Sequence, residues 1–115
     1  MTAFKRGDVV LVAFPFTDLT TTKMRPALVV SSNDFNSRNV DIVLVAITSQ
    51  VPKRISPTDY LLSADDQKNA GLPKTSLAKL GKLVTLDQRL IRKKLGRLPD
   101  STLAILTLRL HQILQ

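Results

Sequence analysis

The chain has no cysteine and no glutamate, carries one histidine, and is only 4% aromatic. Without cysteine there are no disulfides and no thiolate chemistry, which fits a reducing cytoplasm. The longest apolar run falls short of the about 20 residues that span a bilayer. The N-terminus MTAFKRGD lacks an apolar signal core, so neither membrane insertion nor export is expected. His111 falls in the last turn of an expected C-terminal helix, where a cation complements the helix dipole, and reads as a surface residue. No cluster of His, Cys and carboxylate has metal-ligand spacing. Asp65 and Asp66 are adjacent and face different sides of a helix, so they read as partners of its N-terminal dipole rather than a metal pair. There is no P-loop and no GxGxxG, which disfavours nucleotide-cofactor chemistry. No cofactor is expected. An enzyme with this inventory works through Arg, Lys, Asp, Ser and Thr.

What is present is positive charge. Seventeen Lys and Arg against nine aspartates give a net charge of +8 over 115 residues. The excess is uneven: residues 53–97 hold eleven cations against four aspartates, and the other positions hold six against five. A basic balance localised in this way suits a polyanion, most often nucleic acid; the alternative is a solubilising surface. The length and the 43% hydrophobic content predict one domain, residues 1–115.

The stretch from Lys5 to Ser32 organises the rest. Val9–Phe14 and Ala27–Val30 are β-branched and apolar on both faces, as central strands are. Gly7-Asp8 marks the turn before the first strand and Pro15 closes it. A polar loop, Thr17 to Met24, connects the two and carries Lys23 and Arg25 to the start of the second strand, which puts Arg25 at the rim of a buried sheet. Asn33 or Asp34 caps a short helical turn. Val40–Thr48 is a third central strand, residues 49–57 an exposed loop, and Tyr60–Leu62 a brief strand. Ser63 caps a helix over Ala64–Ala70, with Gly71 at its C′ position. Thr75–Leu80 and Lys82–Leu86 form two strands hinged at Gly81. Asp87 caps a helix over Gln88–Leu95, ended by Gly96. Asp100 or Ser101 caps a last helix, in which Leu103, Leu106, Leu110 and Ile113 recur at helical steps. Five or six strands with two or three helices predict a small curled sheet or open barrel with helices packed on it.

One reaction fits the short inventory. RNA carries its own nucleophile, the 2′-hydroxyl, beside the scissile phosphate. The protein then has to position the strand, move protons and neutralise charge on the phosphate. A guanidinium does the last well, because its planar fork grips two phosphoryl oxygens. Such a preorganised donor contributes roughly 10²–10³ in rate.

The segments Gly7-Asp8-Val9-Val10-Leu11-Val12, Phe14-Pro15-Phe16-Thr17-Asp18 and Lys23-Met24-Arg25-Pro26-Ala27-Leu28-Val29-Val30-Ser31 resemble the MazF/PemK-like family of type II toxin endoribonucleases. Val45-Ala46-Ile47-Thr48-Ser49 and, more loosely, Gly71-Leu72, Thr75-Ser76 and Thr85-Leu86-Asp87 extend the resemblance over nearly the whole chain. It implies a mainly β fold with helices, an SH3-like open β-barrel with a C-terminal helix as in MazF, PemK and CcdB. It also implies a homodimer that cuts single-stranded RNA at short sequences without metal, giving 2′,3′-cyclic phosphate and 5′-hydroxyl ends. The family's catalytic arginine falls on Arg25 and its catalytic threonine on Thr48. Lys23, Thr17, Asp18, Ser49, Lys79 and Lys82 are the candidate RNA contacts. From the residues alone, Arg25 also fits a surface ion pair with Asp8 or Asp18, and Thr48 a strand-end hydroxyl bonding its own backbone. Val84 stands where many members carry an arginine, leaving Lys79 or Lys82 to supply that contact. The general base is open, with Asp18 a candidate. A cognate acidic antitoxin is the expected partner. Two other readings stay beside this one: a non-catalytic toxin of the same barrel that binds DNA gyrase, and a passive nucleic-acid-binding module.

Overall fold

The computed structural model describes residues 4–14 and 23–115. Its strands are β1 (Asp8–Phe14), β2 (Lys23–Val29), β3 (Asp41–Thr48), β4 (Asp59–Leu61), β5 (Leu77–Asp87) and β6 (Ile91–Arg97). Its helices are α1 (Asn33–Arg38), α2 (Ala64–Asn69) and α3 (Asp100–Leu114), with a single 3₁₀ turn over Gln88–Leu90. All six strands join one antiparallel sheet in the order β4-β5-β3-β2-β1-β6.

The connection from β5 to β6 dictates the shape. These strands lie on opposite sides of the β3-β2-β1 centre, yet only three residues separate them. Three residues reach about 10 Å at most, whereas three intervening strands of a flat sheet span about twice that. The sheet therefore curls until the end of β5 and the start of β6 meet. Leu86 of β5, Leu90 of the 3₁₀ turn and Ile91 of β6 accordingly pack into one inner cluster with Val10, Val12, Ala27, Val29, Ile42 and Leu44. The residues of opposite phase (Val9, Leu28, Val45, Ile47, Ala78 and Leu80) form a second core with Leu106 and Leu110 of α3. Each central strand is thus buried on both faces, as its unbroken apolar run requires.

Buried polar groups tie the helices to this frame. The Asp66 carboxylate accepts from Thr102 Oγ1 at 2.8 Å and Tyr60 Oη at 3.1 Å, linking α2, α3 and β4. Arg109 of α3 lies over the Tyr60 ring, 5.3 Å from its centroid. Burial, then the hydrogen bond to Asp66, pushes the Tyr60 hydroxyl above its ordinary pKa. At the other end of β1, buried Asp8 accepts from the Lys5 amide at 2.9 Å and sits 3.3 Å from Lys94 Nζ and 3.5 Å from Arg97 Nη1.

Several expectations need correction. The sequence predicts a helix over Gln88–Leu95. Asp87 does cap a turn, accepting from the Arg89 amide at 2.8 Å, but from Ile91 the chain pairs with β1 instead. Gly96 is therefore not a helix terminator. It lies in β6 where its Cα nearly touches the backbone of Asn69 and Ala70, and a Cβ there would sit 2.2 Å from Asn69 O. The α1 cap is Ser32, one residue before Asn33. Helix α3 starts at Asp100 after Pro99 with no side-chain cap, so neither Asp100 nor Ser101 serves. Strand β4 is Asp59–Leu61, one residue earlier than Tyr60–Leu62. Gly81 does not split two strands. β5 runs through it, and the register with β3 jumps from Val45↔Leu83 to Ala46↔Lys79, leaving Leu80, Gly81 and Lys82 as a wide bulge. Lys23 and Met24 belong to β2 rather than to the preceding loop. Pro15 and residues 17–22 of that loop lie outside the described residues.

Two predictions follow from the glycines and from Tyr60. Gly96→Ala should lower stability by roughly 1–3 kcal/mol, because backbone atoms must move to admit the Cβ. Gly81→Ala meets open space and should be neutral or stabilising by about 0.4–1 kcal/mol; urea titration of both variants separates the two cases. Because the Tyr60 pKa is raised in the folded state, its contribution is present below the unfolded value of about 10 and is lost as pH rises through the folded value. The alkaline limb of a melting-temperature profile should be shallower in Tyr60→Phe than in wild type.

Candidate functional site

Strand pairing places the sequence-predicted residues. On β1 and β2 Val12 stands opposite Arg25 and Phe14 opposite Lys23. On β3 and β5 Thr48 stands opposite Leu77 and Ala46 opposite Lys79. Between β2 and β3 the ladder covers Ala27↔Ala46, Leu28↔Val45 and Val29↔Leu44. Carried two residues past its last pair, this register sets Arg25 across from Thr48. The β2–β3 ladder stops at Ala27, one residue after Pro26, which has no N–H to give, so these two strands end their pairing two residues short of Arg25 and Thr48.

Alternation fixes the face. Ala27 and Val29 point into the inner cluster, so Arg25 and Lys23 lie on that side of β2. Ile47 belongs to the helix-side core, so Thr48 lies on the same side as Arg25. The same holds for Lys79, because Ala78 and Leu80 pack toward α3. Val10, Ala27, Ala46, Lys79 and Asp59 thus form one cross-strand row. The next consists of two paired stretches, Val12 with Arg25 and Thr48 with Leu77 and Leu61, which the extended β2–β3 register sets in line. Arg25 is exposed and Thr48 half-buried.

The Thr48 hydroxyl accepts from the Gln50 amide at 3.1 Å, which is the strand-end bond the sequence allows. That bond fixes the side-chain rotamer and leaves the O–H as a donor, polarised by the bond it accepts. Lys79 Nζ is 3.7 Å from Asp59 Oδ2. Ser49 and Lys82 are exposed, Ser49 just beyond β3 and Lys82 in the β5 bulge. Asp8, one ion-pair partner considered for Arg25, is engaged by Lys94 and Arg97 at the far end of β1 from Val12. Thr17 and Asp18 lie outside the described residues. Val84 faces the inner cluster opposite Leu44, two residues along β5 from the buried Leu86.

Asp59, Leu61 and Leu77 also belong to this face and are not among the sequence candidates. The shift of β4 by one residue explains the first two, since a one-residue change of phase exchanges the faces of a strand. Among the described residues no three His, Cys or acidic side chains gather into a group that could hold a metal ion. No helix there is long and apolar enough to cross a membrane.

A curled six-stranded antiparallel sheet with a C-terminal helix packed on it defines the class: a small, open barrel-like fold. Residues 5–114 match the family described as PemK-like, MazF-like toxin of type II toxin-antitoxin system, and the chain belongs to that family. Among solved structures it is similar to an endoribonuclease from Mycobacterial species at 26% identity and TM-score 0.76, covering 99% of this chain and 93% of that one. An endoribonuclease in complex with its cognate antitoxin from Mycobacterial species matches at 24% identity and TM-score 0.78, covering 97% and 95%. A MazE-MazF structure from Deinococcus radiodurans matches at 23% identity and TM-score 0.74, covering 99% and 97%. The matches below 25% identity speak to fold alone. Among curated proteins, none matches the chain.

Proposed function

We propose that this toxin is a metal-independent, sequence-specific endoribonuclease of single-stranded RNA, acting in the cytoplasm. The observation that supports the proposal is the β2–β3 register, which, extended two residues past its last pair, Ala27↔Ala46, aligns Arg25 with Thr48 where these two strands no longer pair. In the proposed reaction the 2′-hydroxyl gives up its proton to a base, for which Asp18 is the candidate, and its oxygen attacks the adjacent phosphorus. The bond from phosphorus to the 5′-oxygen breaks and the leaving 5′-oxygen takes up a proton, so that a 2′,3′-cyclic phosphate and a 5′-hydroxyl result. Arg25 grips two phosphoryl oxygens and offsets the charge that builds on them. Thr48 donates its hydroxyl hydrogen to the same phosphate. Arginine is no base at accessible pH, and a threonine hydroxyl is a poor one, so both act as electrostatic partners. Lys23, on the Arg25 face of β2, and Ser49, Lys79 and Lys82 around β3 and β5 hold the flanking backbone, with Thr17 and Asp18 as further contacts.

The proposal includes two protein partners. The mycobacterial and Deinococcus neighbours include complexes with an antitoxin, and a +8 chain suits an acidic, largely disordered neutraliser that folds on binding. Helix α3 exposes Leu108 at 61% and Leu114 at 70%, apolar surface that a homodimer would cover.

Arg25→Ala should abolish cleavage of a mixed RNA by purified protein while the melting temperature stays near wild type. Arg25→Lys should fail as well, because a point charge does not reproduce bidentate geometry; near-normal turnover by the lysine variant would reduce the role of Arg25 to charge alone. Cleavage should persist in EDTA. Replacing the nucleotide before the cut by its 2′-deoxy form should block it, and efficient cutting of that substrate would make water the nucleophile. Intact RNA with wild-type protein would favour the gyrase-binding reading.

A further inference from the structure

The site face holds one buried acid that nothing above employs. Asp59 is 8% exposed, and its backbone is held on both sides. Its N–H donates to Ser56 O at 3.0 Å, and its carbonyl accepts from Arg109 Nη1 of α3 at 2.6 Å. Directly across the β4–β5 ladder stands Lys79, whose ammonium lies 3.7 Å from Asp59 Oδ2. That separation exceeds the about 2.7–2.9 Å of a charge-assisted hydrogen bond. The carboxylate thus orients the ammonium by charge and leaves its three donors able to turn toward another acceptor.

The direction of that orientation matters. Lys79 is a diagonal neighbour of Thr48, since Thr48 pairs with Leu77 two residues along β5. Diagonal positions lie about 7–8 Å apart, within reach of a long side chain. The bulge at Leu80–Lys82 follows at once, and bulges re-aim the side chains beside them. The Lys79 side chain is one-third exposed, so salt screens it less than a fully exposed lysine.

We propose that Asp59 is a positioning residue: it holds the Lys79 ammonium toward the backbone phosphate next to the one that Arg25 and Thr48 engage. The proposal rests on the endoribonuclease reading. It also separates itself from simple attraction by the sign of one substitution. Asp59→Asn raises the net positive charge by one. If the basic surface only concentrates RNA, this variant binds and cuts better. If Asp59 positions Lys79, kcat/KM falls despite the added charge.

The test measures kcat/KM on a short single-stranded RNA for wild type, Asp59→Asn, Lys79→Ala and the double variant, with the salt dependence of KM and the melting temperature of each. The expected result is a loss of about tenfold or more in kcat/KM for each single variant, as for one charge-assisted hydrogen bond. The double variant should be no worse than Lys79→Ala, and the salt slope should be shallower by about 0.7 when Lys79 is removed. Should Asp59→Asn melt too low to assay, Asp59→Ala adds the same charge and carries the same readouts. Activity of Asp59→Asn at or above wild type, an additive double variant, or an unchanged salt slope without Lys79 overturns the assignment while leaving the ribonuclease reading intact. Wild-type protein that leaves RNA whole overturns both.

Discussion

The antiparallel register between β2 and β3 is the constraint on which the rest depends. Three residue pairs set it, Ala27↔Ala46, Leu28↔Val45 and Val29↔Leu44. They are locked because a slip of one residue would exchange the inner cluster with the helix-side core. Leu28 and Val45 pack toward Leu106 and Leu110, while Ala27, Val29 and Leu44 pack inward. Hydrophobic burial thereby decides which polar residues emerge at the rim. Pro26 then stops the β2–β3 ladder short of Arg25, and the same register, extended, aligns Arg25 with Thr48 beyond its end.

Helix α3 supports this arrangement at a distance. Leu106 and Leu110 fill the outer core, Thr102 holds Asp66, and Arg109 reaches both the Tyr60 ring and the Asp59 carbonyl. Strand β4 is only three residues long and sits at the edge of the sheet. Its place depends on these contacts, and with it the orientation of Lys79. The cations of the basic segment divide accordingly. Lys94 and Arg97 close over Asp8 at one end of β1, Arg89 pairs with Asp87 at 2.9 Å, and Lys79 faces Asp59. Four of the eleven cations of residues 53–97 thus lie beside an aspartate.

The three central strands were legible because each is apolar on both faces, a pattern that does not depend on what pairs with what. Thr48 was legible as the last residue of its strand, whereas Arg25, expected where the second strand begins, is the third residue of β2 and pairs with Val12; a resemblance in the surrounding segments pointed to both. Their apposition was not, because register is set by packing between strands and leaves no local mark. The helix expected over Gln88–Leu95 fails for a related reason. Asp87 is a genuine cap, and Leu90, Ile91 and Leu95 have spacing compatible with a helix. Pairing of Ile91, Lys93, Lys94 and Gly96 with β1 and the burial of Leu98 outweigh that local preference. Asp59 was hidden by a single residue of phase in β4. Ser32 took the cap of α1 from Asn33 and Asp34 by accepting from the Phe35 amide at 3.1 Å, one of several equivalent choices in a polar run.

The central claim is that Arg25 and Thr48 act on one phosphate. A double-mutant cycle in single-turnover RNA cleavage, comparing wild type, Arg25→Lys, Thr48→Val and the pair, measures this most directly. Groups that share a phosphate should couple, with the double variant departing from the sum of the singles by about 0.5–3 kcal/mol. Additive losses would mean that the two residues act at separate places, and would contradict the account.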